Sequence, residues 1–440
     1  MSEDVVIPPR EPINKSWVVV TFKKPLQWTR SDQEIWLFNP PLRYILNANQ
    51  LDTLKPYIDT ISDLKTGRLY RPLVAGAQLH NSRILVERYR DRGIGDLLFM
   101  TGPLAYLRHL SGASCHIDVY ALADRSHVLA HHPTLAYDSP LVGPIQYDSL
   151  NHYHYHWFVE HATEHDEEVD QLNVYDALYR QLGVDPNTVP VKYKRPTMRL
   201  VDKDAQDLDS LYYVIYAQRK IDLRKTAYYV VAPVSNSNLR TAPYALWLQT
   251  IRELAKVRPV VVVGKMGPDS SLPTADMSFG KFYEAVQQMS NTTSVINLMG
   301  ETSLRAIASL MQHAILAVTL DSGLLYVAEA LRVPTISLWG THAPAVRLGY
   351  DPAYMDLAIW PRENCGAAPC FAYANFPYKH CPRGMAQRTC EVLSAIPPEA
   401  IIEKVTAIEN GKWMADTGFQ KVDEPPTPAP DGSNVIVFKP

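Results

Sequence analysis

The 440-residue chain contains three short polar segments whose residue types suit the binding or chemistry of an anionic substrate, and the first is Asp321-Ser322-Gly323. It directly follows the apolar run Ala314–Leu320 and precedes a helix-like segment. Small polar residues at a helix start leave backbone N–H groups at the positive end of the helix dipole, which suits a phosphate. Asp and Ser are also common helix caps, so simple capping is the alternative interpretation.

The second segment is the polar stretch Ser235–Thr241, which contains one cation, Arg240. It follows a strand-like run that ends at Val234 and includes Asn236. The guanidinium group offers a planar fork that can bind a diphosphate with two parallel hydrogen bonds. A surface arginine without a ligand is the alternative.

The third segment contains Gly93, Gly95 and Asp96, directly after a strand predicted at Arg83–Arg88. The glycines permit a tight turn, and Asp96 then lies at the start of a helix predicted to end at Leu110. The pair lacks the third glycine of the dinucleotide-binding fingerprint, so that signal is weak. Asp96 is either a functional carboxylate at the edge of a sheet or a helix cap.

Cysteine and histidine clusters are the candidates for a metal site. Cys365, Cys370, Cys381 and Cys390 fall within one short segment, separated by four, ten and eight residues. In a reducing compartment stable disulfides are not expected, which leaves a structural zinc or iron ion or a set of free thiols. The fifth cysteine, Cys115, is expected to be a small core residue.

Three alternating histidines, followed by two more, form the other cluster. They are His152, His154, His156, His161 and His165. On a strand the first three would share one face and could bind a metal. A polar strand face is the stronger interpretation.

Strands and helices alternate twice along the chain, which predicts two Rossmann-like α/β domains. In such sheets ligands bind at the carboxyl ends of the strands. The predicted boundaries are an N-terminal extension at 1–80, a first Rossmann-like domain at 81–205, a second at 206–415 with a Cys-rich segment at 365–390, and a disordered Pro-rich tail at 416–440. The charged stretch Arg199–Asp209 is predicted to be the linker between the domains.

Composition excludes several classes of protein. The chain has 43 basic and 46 acidic residues, so no global positive field favours non-specific binding of nucleic acid, although a local patch is still compatible with it. Its apolar runs are far shorter than the ~20 residues that span a bilayer. The start of the sequence has no signal-peptide pattern, and a cytoplasmic location is expected.

The chain resembles the family 9 glycosyltransferases, the heptosyltransferases, over about residues 83–405. The motifs that carry the resemblance are Gly93–Leu98, Pro233–Ser235 with Arg240, Pro243 and Trp247, Asn297–Leu304, Asp321–Gly323 and Trp339–Pro344. The Cys-rich segment and Ile396–Ile402 are also similar to the C-terminal region of that family. The resemblance implies a GT-B fold, in which two Rossmann-like domains face a central cleft. It implies that 81–205 is the acceptor domain and that 206–415 is the nucleotide-sugar domain. It also implies metal-independent, inverting transfer from a nucleotide-diphosphate sugar, typically ADP-heptose.

By position, the resemblance implies that Asp96 is the general base and that Arg240 acts on the diphosphate, where the family usually has lysine. The other implied donor-binding residues are Ser235, Asn236, Gly264, Met299, Gly300, Asp321, Ser322, Gly323 and Tyr326. The family usually has histidine at the position of Tyr326, and tyrosine cannot supply a titratable cation near neutral pH.

Several acceptors are compatible with this prediction: a glycan hydroxyl, a protein hydroxyl, or a modified base in DNA, which the slight acidic excess disfavours. Protein-modifying heptosyltransferases of the family carry a four-cysteine iron site, which supports a protein acceptor. The alternatives outside this class are a GT-B nucleotide-sugar epimerase and a non-catalytic protein that binds nucleotide sugars. The presence of both Asp96 and Arg240 disfavours the non-catalytic alternative.

Overall fold

The computed structural model describes residues 17–29, 34–74, 76–88, 93–121, 123–159, 172–267, 272–348, 350–371, 381–384 and 389–420. The chain divides into an N-terminal unit, Pro9–Lys194, and a C-terminal unit that begins at Arg195. The predicted disordered tail lies outside the described residues from position 421 onward, as do His161 and His165. Within the described part of the chain, no helix combines the length and apolar character needed to cross a membrane.

The N-terminal unit contains nine strands and four helices among its described residues. The strands are β1 (Val18–Phe22), β2 (Leu26–Thr29), β3 (Ile35–Phe38), β4 (Tyr44–Leu46), β5 (Ile58–Asp63), β6 (Arg83–Arg88), β7 (His116–Tyr120), β8 (Ile145–Gln146) and β9 (Tyr155–Val159). The helices are α1 (Ala48–Leu54), α2 (Ile94–Leu110), α3 (Ala123–Ser126) and α4 (Val174–Gln181).

The predicted N-terminal extension shares its core with the residues that follow it. Strands β5, β1, β4 and β8 form one antiparallel sheet, in which Ile45 of the extension pairs with Ile145. Trp17 and Val19 pack in the same buried cluster as Phe158 of β9. Strands β7, β6 and β9 form a separate parallel sheet, as predicted from the strand–helix alternation.

The described part of the C-terminal unit contains six strands and ten helices. The strands are β10 (Tyr229–Ala232), β11 (Val260–Val262), β12 (Val295–Asn297), β13 (Leu316–Leu320), β14 (Thr335–Leu338) and β15 (Ala358–Ile359). The helices are α5 (Asp202–Arg219), α6 (Tyr244–Ala255), α7 (Phe279–Thr292), α8 (Leu304–His313), α9 (Gly323–Ala330), α10 (Pro344–Arg347), α11 (Pro352–Asp356), α12 (Glu391–Ser394), α13 (Pro398–Glu409) and α14 (Lys412–Thr417).

These six strands form one parallel sheet in the order β12-β11-β10-β13-β14-β15. The residues of β10, β11, β13 and β14 are all buried, as expected for a parallel sheet covered by helices on both faces. In the register of β10 and β13, Ala232 lies opposite Thr319. The polar loops that follow these two strands therefore emerge side by side.

The prediction of a linker at Arg199–Asp209 is wrong, because most of this stretch belongs to α5. Leu208, Tyr212 and Ile215 are buried at helical spacing on one side of the helix. Asp204 accepts the backbone N–H of Val201 and forms an ion pair with Arg305 of α8. The charged residues thus fix the start of a packed helix.

Candidate functional site

The centre of the candidate site is Asp321, which follows β13 and is 4% exposed. Its Oδ1 accepts a hydrogen bond from the hydroxyl of Tyr326 at 2.8 Å. Its Oδ2 lies 2.5 Å from Nδ1 of His342, in the loop after β14. Two elements of the C-terminal unit, α9 and this loop, therefore hold one buried carboxylate.

Electrostatics keep Asp321 ionised. Burial alone would raise its pKa, but His342, Arg240 and Arg347 outweigh that effect and hold the pKa well below the usual range. Burial lowers the pKa of His342, and the positive field of Arg347 and Arg240 adds to this effect, although Asp321 opposes it. Nδ1 is the ring nitrogen that faces the carboxylate, so a proton on Nδ1 is donated to Oδ2.

Arg240 lies at the same place, at the end of a short turn, Asn238–Arg240, that follows β10. Its Nη1 donates to the backbone carbonyl of Asp321 at 3.3 Å and lies 3.9 Å from Oδ2. Its Nη2 donates to the side-chain oxygen of Asn236. The predicted residues Arg240, Asn236 and Asp321 are thus brought together at the carboxyl edge of the sheet.

Ser235 has a different environment from the one expected of a phosphate ligand. Its buried hydroxyl donates to the carbonyl of Ser237 at 2.8 Å and lies 3.1 Å from the hydroxyl of Thr241. Because these bonds stay within the loop, Ser235 shapes the segment that carries Arg240.

Ser322 and Gly323 lie at the start of α9, as predicted. Ser322 is the N-cap residue, and no side-chain capping bond from it is formed. Both residues are half-buried, whereas Tyr326 is buried against Asp321. The helix start therefore presents backbone N–H groups next to the Arg240 guanidinium.

A third loop forms around Gly264, Met299 and Gly300, which follow β11 and β12. The backbone N–H of Gly300 donates to the carbonyl of Gly264 at 2.8 Å. A Cβ at Gly264 would lie 2.6 Å from Val234, and Gly300 has a φ of +76°, so both positions require glycine. The structure places all three residues at the carboxyl edge of the sheet.

The four clustered cysteines line one cavity of about 10 Å³ together with Leu239, Gly340 and Thr341. Burial raises the pKa of Cys390 to about 11, with smaller contributions from Cys370 and Cys365. All four are free thiols. In the described ranges, no three Cys, His, Asp or Glu side chains are grouped closely enough to hold an ion.

The prediction that His152, His154 and His156 share a strand face is wrong, because β9 begins at Tyr155. His152 ends a 3₁₀ turn, and Nδ1 of His154 accepts the N–H of Arg83. Nδ1 of the buried His156 accepts the N–H of Arg71 at 2.9 Å, and its Nε2 lies 2.9 Å from the carbonyl of Leu150. Both ring nitrogens of His156 therefore bind the backbone, which fixes β9 in the unit.

Asp96 lies in the first turn of α2 in the N-terminal unit and is half-buried. Its Oδ2 accepts the backbone N–H of Gly93 at 3.0 Å. The capping role considered for this residue is therefore present in the structure.

Residues 280–376 match the family model "Glycosyltransferase family 9 (heptosyltransferase)". The matched segment contains Asp321, Tyr326 and His342, which form the centre of the site. This part of the chain is therefore similar to the family 9 glycosyltransferases. A search of curated proteins gave no match.

Solved structures share the fold of this chain. Escherichia coli ADP-heptose lipopolysaccharide heptosyltransferase II matches with a TM-score of 0.51 and 15% identity, over 75% of this chain and 99% of that one. A family 9 glycosyltransferase from Veillonella parvula matches with a TM-score of 0.50 and 15% identity, over 76% of this chain and 98% of that one. The fold is therefore that of the GT-B glycosyltransferases.

A longer match is the E. coli dodecameric iron-containing heptosyltransferase TibC, solved in complex with ADP-D-β-D-heptose. Its TM-score is 0.50 at 14% identity, and the match covers 90% of this chain and 92% of that one.

Two residues of the site were missed by the sequence analysis: His342 and Arg347. His342 stands within the quoted motif Trp339–Pro344, but no local signal links it to a residue 21 positions earlier. Only the sheet register, which brings the ends of β13 and β14 together, could have indicated the pairing. Tyr326 lies at the position where the family resemblance implied a histidine. His342 supplies an imidazole to the same site.

Proposed function

We propose that this glycosyltransferase moves a heptose-like sugar from ADP-heptose to a hydroxyl of a glycan or protein, with inversion at the anomeric carbon. The observation that carries the proposal is the hydrogen bond from Arg240 to the carbonyl of Asp321. It joins a guanidinium to the start of α9, and both features bind phosphate groups. The complex of TibC with ADP-D-β-D-heptose supports the choice of donor.

In this proposal Arg240 and the backbone N–H groups at Ser322 and Gly323 bind the diphosphate. Asn236 orients the guanidinium through its side-chain oxygen. Asp321 remains ionised beneath Arg240 and holds it in place. The loop at Gly264, Met299 and Gly300 flanks the adenosine, since it lies on the same edge of the sheet.

The N-terminal unit would supply the acceptor site and the general base. Direct displacement requires a base on the face of the sugar opposite the leaving diphosphate, and Asp96 is our candidate. The dipole of α2 favours the ionised form of a carboxylate in its first turn. A base of this kind contributes about 10²–10⁴ in rate.

The donor is tested by thermal shift with ADP, UDP, GDP and CDP and their sugars. A ligand at a hundredfold excess over its Kd stabilises the fold by about 2.7 kcal/mol. We expect ADP and ADP-heptose to raise the melting temperature of the wild type, and to raise that of Arg240→Ala by less. Stabilisation by UDP or GDP alone would contradict the choice of nucleotide.

We further propose that Cys365, Cys370, Cys381 and Cys390 bind one structural zinc or iron ion. Four sulfur donors line one cavity, and thiolates suit either metal. Binding would draw the sulfur atoms closer and displace their protons. The iron-containing neighbour TibC supports the proposal. Metal analysis of protein purified without chelators should give about one ion per chain, and a value near zero would contradict the site.

A further inference from the structure

A buried network connects His342 to Arg240, the residue proposed to bind the diphosphate. His342, Tyr326 and Asp321 are 1%, 5% and 4% exposed. Both oxygens of Asp321 accept hydrogen bonds, Oδ1 from Tyr326 and Oδ2 from His342. The same residue accepts Arg240 through its backbone carbonyl. Asp321 therefore connects the loop that carries Arg240 with the loop that carries His342.

His342 is itself held from the opposite side by the Cys-rich segment. The ring of Phe371 lies 4.9 Å from the imidazole, centroid to centroid. The carbonyl of Thr341 accepts the backbone N–H groups of Cys370 at 3.0 Å and Phe371 at 2.9 Å. The imidazole therefore has a fixed orientation, with Nδ1 toward Asp321.

A carboxylate with two oxygens can rotate about its Cβ–Cγ bond unless donors fix both of them. Without His342, Tyr326 would still bind Oδ1, but Oδ2 would have lost its donor. This oxygen would then be drawn toward Arg240, whose Nη1 lies 3.9 Å away. Such a contact would turn the guanidinium toward Asp321. Fewer of its N–H groups would then be available to the diphosphate, because a close ion pair competes with a phosphate for the same donors.

We propose that His342 is a positioning residue for donor binding: its Nδ1–H holds the Asp321 carboxylate so that Arg240 keeps its N–H groups for the diphosphate. The inference rests on the proposed function, because it takes Arg240 as the diphosphate ligand. His342 acts through Asp321 and Arg240, and its effect must therefore disappear when Arg240 is absent.

The test is a double-mutant cycle on His342 and Arg240, with affinity for ADP and for inorganic pyrophosphate measured by calorimetry. We expect His342→Ala to weaken ADP binding about tenfold, and to change it less than twofold in the Arg240→Ala background. His342→Asn keeps an N–H donor near the position of Nδ1 and should restore affinity to within about threefold of the wild type. His313→Ala, at an exposed histidine at the end of α8, is the matched control and should leave affinity unchanged.

Equal effects of His342→Ala with and without Arg240, or failure of His342→Asn to restore binding in a protein that melts normally, would overturn the positioning role. The two proposals fail in distinguishable ways. Wild-type protein that binds pyrophosphate and UDP but not ADP would refute the donor, and the cycle would then be run with UDP. Wild-type protein that binds no diphosphate would refute both proposals.

Discussion

Asp321 and Asp96 both follow strands of parallel sheets, one in each unit, but their surroundings differ. Asp321 is 4% exposed, and its two oxygens bind side chains from α9 and from the loop after β14. Asp96 is half-buried, and its Oδ2 accepts a backbone N–H from Gly93, three residues earlier.

This difference in surroundings indicates different roles for the two carboxylates. Protonation of Asp321 would break contacts among three elements and leave Arg240 and Arg347 without the field of a buried anion. A carboxylate in that position stabilises the arrangement of these three elements. Asp96 is held by a local backbone contact and remains reachable from solvent, so a hydroxyl can approach it. We therefore propose a positioning role for Asp321 and proton transfer for Asp96.

The change that should separate these roles most strongly is Asp96→Asn. The amide keeps the shape and the capping oxygen for Gly93 but lacks basicity, so turnover should fall at least about a hundredfold while ADP affinity stays nearly constant. ADP release from ADP-heptose in the presence of an acceptor gives the rate. A variant that retains more than about a tenth of wild-type turnover would show that Asp96 is a cap and that the base lies elsewhere.

A smaller effect is expected from Cys370→Ser, which tests whether the Cys-rich segment supports the donor loops. Cys370 packs on Leu239, next to Arg240, and its N–H binds the carbonyl of Thr341, next to His342. We expect ADP affinity to fall about threefold to tenfold, within the range of indirect coupling energies. Cys115→Ser is the matched control, since Cys115 is buried in the N-terminal unit. Equal losses of affinity in both variants would indicate a general loss of stability instead.

The smallest effect on the donor site is expected from Glu409→Gln, which weakens the C-terminal unit at a different place. Glu409 accepts hydrogen bonds from Nε and Nη2 of Arg258 at 2.6 and 2.8 Å, and from the hydroxyl of Tyr229 at 2.6 Å. The bonds from Arg258 hold the pKa of Glu409 below its usual value, although burial opposes them. Removing the charge should cost about 1–2 kcal/mol of unfolding free energy at neutral pH and leave ADP affinity unchanged.

The pH dependence of that loss follows from the direction of the pKa shift. A carboxyl whose pKa is lower in the folded state contributes its full stabilisation above the unfolded pKa, about 4.3 for glutamate. It loses this contribution as the pH falls through the folded pKa. The difference in melting temperature between wild type and Glu409→Gln should therefore shrink below about pH 4. A constant difference from pH 7 to pH 3 would contradict the ionic interaction.

The sequence was sufficient to predict the parallel sheet of the C-terminal unit and the neighbourhood of its site. Apolar runs of strand length, such as Val260–Gly264 and Ala314–Leu320, predict buried strands where segments of helical periodicity separate them. Because polar loops that follow parallel strands meet at one edge, Arg240 and Asp321 could be expected close together. The structure confirms that they are in contact.

The remaining features depend on contacts between residues that are distant in the sequence. The role of residues 17–80 rests on pairs such as Ile45 with Ile145, which no local pattern encodes. The helical part of Arg199–Asp209 was missed because its charges suggested a solvated linker, whereas Asp204 is paired with Arg305 about a hundred residues away. His342 was missed for the same reason.

The proposal that Arg240 binds the diphosphate is tested most directly by the preference of the protein for ADP over AMP, measured in the wild type and in Arg240→Ala. If Arg240 binds the diphosphate through charge-assisted hydrogen bonds of about 1.5–3 kcal/mol, the wild type should bind ADP about ten- to a hundredfold more tightly than AMP. In Arg240→Ala the affinity for ADP should fall toward that for AMP, while the affinity for AMP changes little. Arg224→Ala, at an arginine of the same unit that is paired with Asp222, should keep the wild-type preference. A folded Arg240→Ala protein that still prefers ADP by the wild-type ratio would contradict the assignment of the diphosphate to Arg240.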